Sequence, residues 1–189
     1  MSEDKELEWK VQKKLNIWNM KQKHSSTLEE LFDGNIRYLK FIKERTDEET
    51  LKDAFELTAN FAFDKNMSGI MKAMATLLKT ISKRILLKRI VNQFWVSMQY
   101  IVDLDCIKKI EYNPEFTEII VQKCTGKRAW KKGLKNNKAK DLFSLEDHCE
   151  HSCVKLLNKL LELVNAKCEV EFTKTGCRQI IKFIEKEND

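Results

Sequence analysis

Cysteine and histidine side chains are concentrated in one short segment of a predicted helix, at His148, Cys149, His151 and Cys153. Cys149 and Cys153 are four residues apart, which on a helix places both thiols on one face with Cβ atoms about 6 Å apart. Two thiolates at that spacing can bind one metal ion, since Zn–S bonds are about 2.3 Å long. His148 or His151 can ligate a metal through one nitrogen or move a proton near neutral pH.

Two further cysteines lie at the ends of predicted elements. Cys124 follows a β-rich segment directly before Thr125-Gly126, and Cys177 begins the last predicted strand. Because the ends of adjacent elements can meet at one edge of a sheet, the sequence predicts a zinc site formed by Cys124, Cys149, Cys153 and Cys177. Four thiolates are typical of a structural zinc, and three with a bound water are typical of a catalytic one. The absence of a Cys-x-x-Cys pair leaves a second interpretation open, in which these cysteines pack in the core.

A run of basic residues extends from Lys123 to Lys140, with eight lysines and arginines and no acidic residue. Such a run can attract an anionic ligand or a nucleic-acid backbone. More often it is a solvated surface. Nucleic acid is the least favoured partner, because the run is short and offers one aromatic side chain for stacking, Trp130.

The composition of the sequence restricts which classes of protein and of enzyme remain possible. The charge is nearly balanced, with 35 basic and 29 acidic residues and a net charge of +6. The amino terminus has no signal-peptide pattern and no apolar stretch is long enough to span a membrane, so we expect a cytoplasmic protein. In that reducing compartment six cysteines indicate metal binding, reactive thiols or core packing rather than disulfides. The glycine-rich nucleotide motifs, HExxH and GxSxG are absent, which removes the main support for those enzyme classes.

Apolar stripes at helical spacing predict four helices before residue 92, over residues 4–22, 26–45, 46–61 and 68–90. Ser26 and Thr46 provide helix-start chemistry for the second and third. Residues 92–105 fit either a helix or a strand.

The second half predicts two hairpins and one long helix. Residues 107–112 and 116–122 flank Asn113-Pro114-Glu115, and residues 167–173 and 177–184 flank Lys174-Thr175-Gly176, both typical turns. Between them an apolar stripe predicts a helix over residues 145–164. We therefore expect an α+β fold, with N-terminal helices packed on a small antiparallel sheet and one long C-terminal helix. Residues 1–189 are expected to form one domain, with a helical part at 1–92 and a cysteine-containing part at 107–184.

Several short motifs of the second half resemble one known family. They are Val121-Gln122-Lys123-Cys124, Lys127-Arg128-Ala129, Lys132-Gly133-Leu134, Cys149 with Cys153, Lys167-Cys168-Glu169-Val170 and Gly176-Cys177-Arg178. Residues 107–184 resemble the L-2-amino-thiazoline-4-carboxylic acid hydrolase-like family, which is related to the 4-vinyl reductase-type small-molecule-binding domains. The resemblance implies an α+β fold, hydrolytic opening of a thiazoline ring, and a metal or nucleophile cluster at Cys124, Cys149 and Cys177.

The functional expectation is a hydrolase acting on a small C=N or amide-like substrate. A zinc-bound water would attack while His148 or His151 moves the proton, or the Cys124 thiolate would attack directly. The alternative is a non-enzymatic module in which zinc stabilises the fold and a pocket binds a small ligand. In either case the expected partner is a small molecule, with no membrane association and with homo-oligomerisation left open.

Overall fold

The computed structural model describes residues 20–66, 69, 76 and 81–184. The described chain has five α-helices: α1 (Met20–Lys43), α2 (Glu48–Asn66), α3 (Lys83–Ser97), α4 (Thr125–Asn136) and α5 (Lys155–Leu161). Four strands follow the predicted hairpins: β1 (Ile107–Tyr112), β2 (Thr117–Val121), β3 (Ala166–Phe172) and β4 (Cys177–Phe183). The predicted α+β class is confirmed. Residues 4–19 of the first predicted helix and much of the predicted helix over 68–90 lie outside the described residues. The prediction of one helix over 68–90 is wrong in its described part, because the chain is not helical at Ile81 and Ser82, directly before α3.

Local capping chemistry explains where two helices begin. Asp47 Oδ1 accepts a hydrogen bond from the backbone N–H of Thr50 at 2.8 Å, directly before α2. The side chain of Ser82 caps α3 by accepting from the N–H of Ile85. The predicted helix start at Ser26 is wrong, because α1 is already helical at Met20.

The segment of ambiguous pattern, residues 92–105, forms no strand. Helix α3 continues to Ser97 and is followed by two 3₁₀ turns, Met98–Tyr100 and Leu104–Cys106. Phe94, Trp95 and Met98 are buried at helical spacing on one broad face, whereas Val96 is exposed, so the continuous apolar run that resembled a strand combines a buried helix face with an exposed side chain.

The four strands form one antiparallel sheet in the order β1-β2-β4-β3. The last strand, β4, therefore lies between β2 and β3. Val121 pairs with Cys177 at the end of this central pair, which brings the C-terminal end of β2 to the start of β4.

The two faces of the sheet differ in chemistry. Ile119, Cys168 and Ile181 are buried on the inner face and belong to a core that also includes side chains of the helices. On the outer face Glu118 accepts hydrogen bonds from Lys109 and Arg178, which hold the pKa of this carboxyl below its usual range. One contiguous core thus extends from α1 to β4. No helix in the described part of the chain is long and apolar enough to cross a membrane.

Helices α1 and α4 pack closely at a glycine. A Cβ atom built at Gly133 would lie 2.5 Å from the Cδ1 atom of Ile36 and 3.1 Å from Asp33 Oδ1. Since real Cβ contacts are longer, the Ile36 side chain would have to shift if residue 133 were not glycine. The crossing places α4 against α1, with the amino-terminal end of α4 at the sheet.

The long helix predicted over residues 145–164 is not one regular α-helix. It begins with a π-helical turn, Cys149–Val154, continues as the short α5 and ends in a 3₁₀ turn, Glu162–Val164. A π turn accommodates an extra residue and changes which side chains share a face. Asn165 in the left-handed conformation, with φ 55°, then turns the chain into β3.

Candidate functional site

Cys124 lies at the junction between β2 and α4, at the N-cap position of the helix. Its backbone N–H donates to the carbonyl of Thr175 in the β3–β4 hairpin at 2.8 Å. The next residue, Thr125, donates its hydroxyl to the carbonyl of Ile101 and accepts from the N–H of Asp103. These bonds fix the start of α4 against both the hairpin and the turn that precedes β1.

The hairpin is held against β2 by a close backbone contact at Gly176. A Cβ atom at this position would collide with the carbonyl group of Val121. Glycine therefore allows the hairpin tip to approach the end of β2. This approach sets Cys177 beside the segment that carries Cys124.

The four cysteines predicted as metal ligands, Cys124, Cys149, Cys153 and Cys177, share one neighbourhood, which we call the thiol cluster. A negative charge on Cys124 raises the pKa of each of the other three, and one on Cys149 raises that of Cys153. All four are partly buried and all are free thiols. Cys168 is buried, as predicted for a core residue, and Cys106 is buried near Lys123, whose carbonyl accepts from its thiol.

Burial is the main influence on the ionisation of these thiols. It raises the pKa of Cys149 to about 12 and that of Cys177 to about 11. It also raises the pKa of Cys124 and Cys153. All four are therefore protonated at neutral pH.

The thiol cluster does not fit a zinc ion as it stands. Among the residues that the structure describes, no three histidine, cysteine, aspartate or glutamate side chains are grouped closely enough to hold a metal. The zinc site stays a prediction from the sequence.

Both histidines of the cysteine-rich segment pack against aromatic rings. His148 is 8% exposed and contacts Phe32 and Trp130, with ring centroids 4.6 and 5.6 Å away. Its Nε2 atom has no hydrogen-bond partner, and burial lowers its pKa to about 4. His151 stacks on Phe55, with 4.4 Å between the centroids. The two rings join the π turn to α1, α2 and α4, and their predicted role in proton transfer stays a prediction.

A cavity of about 270 Å³ opens beside Cys124. We call it the cation pocket, because five of its lining side chains are cationic. It is lined by Lys123, Cys124, Lys127, Arg128, Lys131, Leu145, Lys174 and Thr175. No acidic side chain is among them.

Lys127 is the buried member of the cation pocket. Its ammonium group donates to Glu146 Oε1 at 2.9 Å and to the carbonyl of Thr173 at 2.7 Å. It also lies 5.6 Å from the ring centroid of Phe172. This lysine ties α4 to the hairpin and to the segment before the π turn.

The other four cations of the pocket are exposed, and no ion pair or side-chain hydrogen bond in the described structure compensates them. They are Lys123, Arg128, Lys131 and Lys174. Lys123 has φ 52°, a conformation that costs energy for a residue with a side chain. Four uncompensated positive charges around one cavity repel one another, and a bound anion would relieve that repulsion.

Comparison of the chain with protein-family models, with curated proteins and with solved structures finds no match. The resemblance to thiazoline hydrolase-like proteins therefore stays an expectation.

Sequence reasoning found part of the cation pocket and missed the rest. The basic run contains four of the five cations, but it also includes Lys132, which forms an ion pair with Glu29 on α1. The fifth cation, Lys174, comes from the hairpin turn and lies near the others only because β4 pairs with β2. The turn signal at Lys174-Thr175-Gly176 predicted the hairpin but gave no indication of what it faces.

Proposed function

We propose that this protein binds a small anionic molecule in the cation pocket. The observation that supports the proposal is the set of four uncompensated cations around one cavity. Some exposed lysines elsewhere in the described structure pair with acidic residues, as Lys132 does with Glu29, and others such as Lys135 and Lys140 do not; the pocket differs in that four unpaired cations line one cavity. At the pocket no described residue supplies such a partner. A ligand bearing carboxylate or phosphate groups provides one.

The dimensions of the pocket favour a small ligand. Its volume of about 270 Å³ lies near the small end of the usual range for ligand sites, about 300–1,000 Å³. Leu145 adds an apolar surface on one side, and Thr175 can contribute a hydroxyl. The backbone at both walls is anchored by the hydrogen bond between Cys124 and Thr175, so the site exists before a ligand arrives.

Isothermal titration with inorganic phosphate and with succinate at low ionic strength tests the proposal. The double variant Arg128→Gln, Lys174→Gln removes two charge-assisted hydrogen bonds. Such bonds contribute about 1.5–3 kcal/mol each, but solvent screening at these exposed groups reduces the contribution, so we expect binding to weaken by about tenfold or more. Added salt should weaken binding to the wild type, because exposed charges are screened.

A matched control comes from the same basic run. The double variant Lys135→Gln, Lys140→Gln removes the same net charge from exposed positions that do not line the pocket. Its affinity should stay within about twofold of wild type. Equal losses in the two double variants would mean that net charge alone attracts the anion, and absence of binding to either probe would refute the proposal.

Hydrolysis of a small C=N or amide-like bond is a second candidate. One observation favours it: Cys124 lines the same cavity as the cations, so a thiol nucleophile would lie next to a bound anion. The test is incubation with a thiazoline carboxylate and measurement of released cysteine. Turnover that is lost in Cys124→Ser would support a thiol-dependent hydrolase, and no turnover above the rate in buffer would refute it.

A further inference from the structure

Cys124 holds a special position in the cation pocket. Among the described residues that line the cavity, it alone carries a thiol. The residue is partly exposed and lines the cavity. The structure thus combines a site for negative charge with one sulfur nucleophile.

Local groups counteract part of the burial at this sulfur. The backbone N–H groups of Gly126 and Lys127, in the first turn of α4, favour its thiolate form, as does the Lys127 ammonium. Burial still keeps the pKa of Cys124 above its ordinary value. The thiolate is therefore scarce at neutral pH, but where it forms it has hydrogen-bond donors and a cation beside it.

We propose that the cation pocket takes an anionic disulfide, a low-molecular-weight compound with carboxylate groups near its S–S bond, which exchanges with Cys124. This inference rests on the proposed function and names its ligand class. The Cys124 thiol loses its proton to solvent, and the thiolate sulfur attacks one sulfur of the disulfide. A new S–S bond forms to Cys124 and the old one breaks. The leaving sulfur departs with the electron pair and takes up a proton, so one disulfide is consumed and one is made.

The surroundings favour this reaction over hydrolysis. Thiol–disulfide exchange needs only a thiolate and a leaving thiolate, whereas hydrolysis also requires a group that moves protons. His148 and His151, the residues predicted for that task, are engaged in aromatic contacts. The free cations Lys123, Arg128 and Lys174 can stabilise both the carboxylates of the ligand and the negative charge on the leaving sulfur.

Two disulfide reagents test the proposal on the full chain: the dianion 5,5′-dithiobis(2-nitrobenzoate) and the neutral 4,4′-dithiodipyridine. Rates are measured at pH 8 and low salt, and the adduct is located by mass spectrometry of peptides. We expect reaction at Cys124 with the dianion, and a ratio of anionic to neutral rates about tenfold higher than in Arg128→Gln, Lys174→Gln. The ratio should fall as salt is added to the wild type, a measurement that needs no variant.

Two cysteine variants identify which thiol carries out the charge-selective reaction. Cys124→Ser should abolish the charge-selective reaction, and Cys168→Ser, which removes a buried thiol outside the pocket, should retain it. Inorganic phosphate should slow the reaction of Cys124 with the dianion and leave its rate of reaction with the neutral reagent unchanged. Adducts on cysteines other than Cys124, or equal charge preference in wild type and the pocket variant, would overturn the inference.

These outcomes distinguish the proposed anion binding from the proposed disulfide exchange at Cys124. If phosphate binds in the pocket but the dianion shows no preference for Cys124, the anion site stands and the disulfide chemistry is refuted. If phosphate does not bind and Cys124 reacts without charge preference, both are refuted.

Discussion

The buried ring of His148 meets Phe32 of α1 edge-on, with an interplanar angle of 84°. The same ring lies nearly parallel to Trp130 of α4. His148 therefore fills the space between two helices and the π turn as an uncharged aromatic group. Its unpartnered Nε2 has no acceptor to stabilise a second proton.

This packing predicts that the fold is sensitive to mild acid. Burial lowers the pKa of His148 from 6.5 to about 4, so the unfolded chain binds a proton at this site before the native protein does. The stabilising contribution is complete above about pH 6.5 and is lost as the pH falls toward 4. A shift of this size corresponds to at most about 3 kcal/mol. Urea unfolding at a series of pH values should show the loss, and His148→Phe should reduce it.

His24→Gln is the control for this experiment, since His24 is a half-buried histidine whose ring nitrogen bonds the carbonyl of Tyr100. Its pH profile should follow that of the wild type. An unchanged profile in His148→Phe would show that other groups cause the acid sensitivity.

Substitution by alanine should have opposite effects on the stability of the protein at the two helical glycines Gly133 and Gly34. At Gly133 the added methyl group would press on the buried Ile36, and overpacking of this kind costs about 1–3 kcal/mol. At Gly34 no atom lies within 4 Å of the new methyl group. Gly34→Ala should therefore stabilise the protein by about 0.5–1 kcal/mol through helix propensity. Urea unfolding measures both changes, and equal effects at the two positions would contradict the close crossing of α1 and α4.

Three members of the thiol cluster, Cys149, Cys153 and Cys177, should be alkylated slowly in the native state. Burial raises the pKa of Cys149 to about 12, so little thiolate is present at pH 8, and the rate with iodoacetamide should keep rising beyond pH 9. Denatured protein should show all six thiols. Elemental analysis of the purified protein tests the zinc site predicted from the sequence, and zinc well below one per chain would agree with the described thiols not being grouped for metal binding. One zinc per chain, with several thiols protected until a chelator is added, would restore the metal site predicted from the sequence.

Local patterns predicted the hairpins and did not predict the π turn. Asn113-Pro114-Glu115 and Lys174-Thr175-Gly176 specify reversals through their own backbone chemistry, so both hairpins could be read from neighbouring residues. The π turn at Cys149–Val154 coincides with the contacts of His148 and His151 to rings on α1, α2 and α4. Those partners are distant in sequence, and helical spacing alone therefore predicts an ordinary α-helix there.

The candidate site, like the fold, could be predicted from the sequence only in part. Cys124 could be placed at an element end because β-rich residues stop there and Thr125-Gly126 follows. That Lys174 faces it depends on the pairing of β2 with β4. Side-chain types identify which residues can do chemistry, and strand order decides which of them meet.

The position of β4 at the centre of the sheet has a consequence for synthesis of the chain. A ribosome delivers β2 and the basic helix α4 before residues 177–183, so β2 has no neighbour on its β4 side until those residues have been synthesised. The carbonyl of Thr175 that anchors Cys124 belongs to the same late segment. A nascent or truncated chain that stops before β4 would carry the lysines and arginine of α4 without the paired β3–β4 hairpin that encloses the cavity. The cation pocket would form only once β4 has paired with β2.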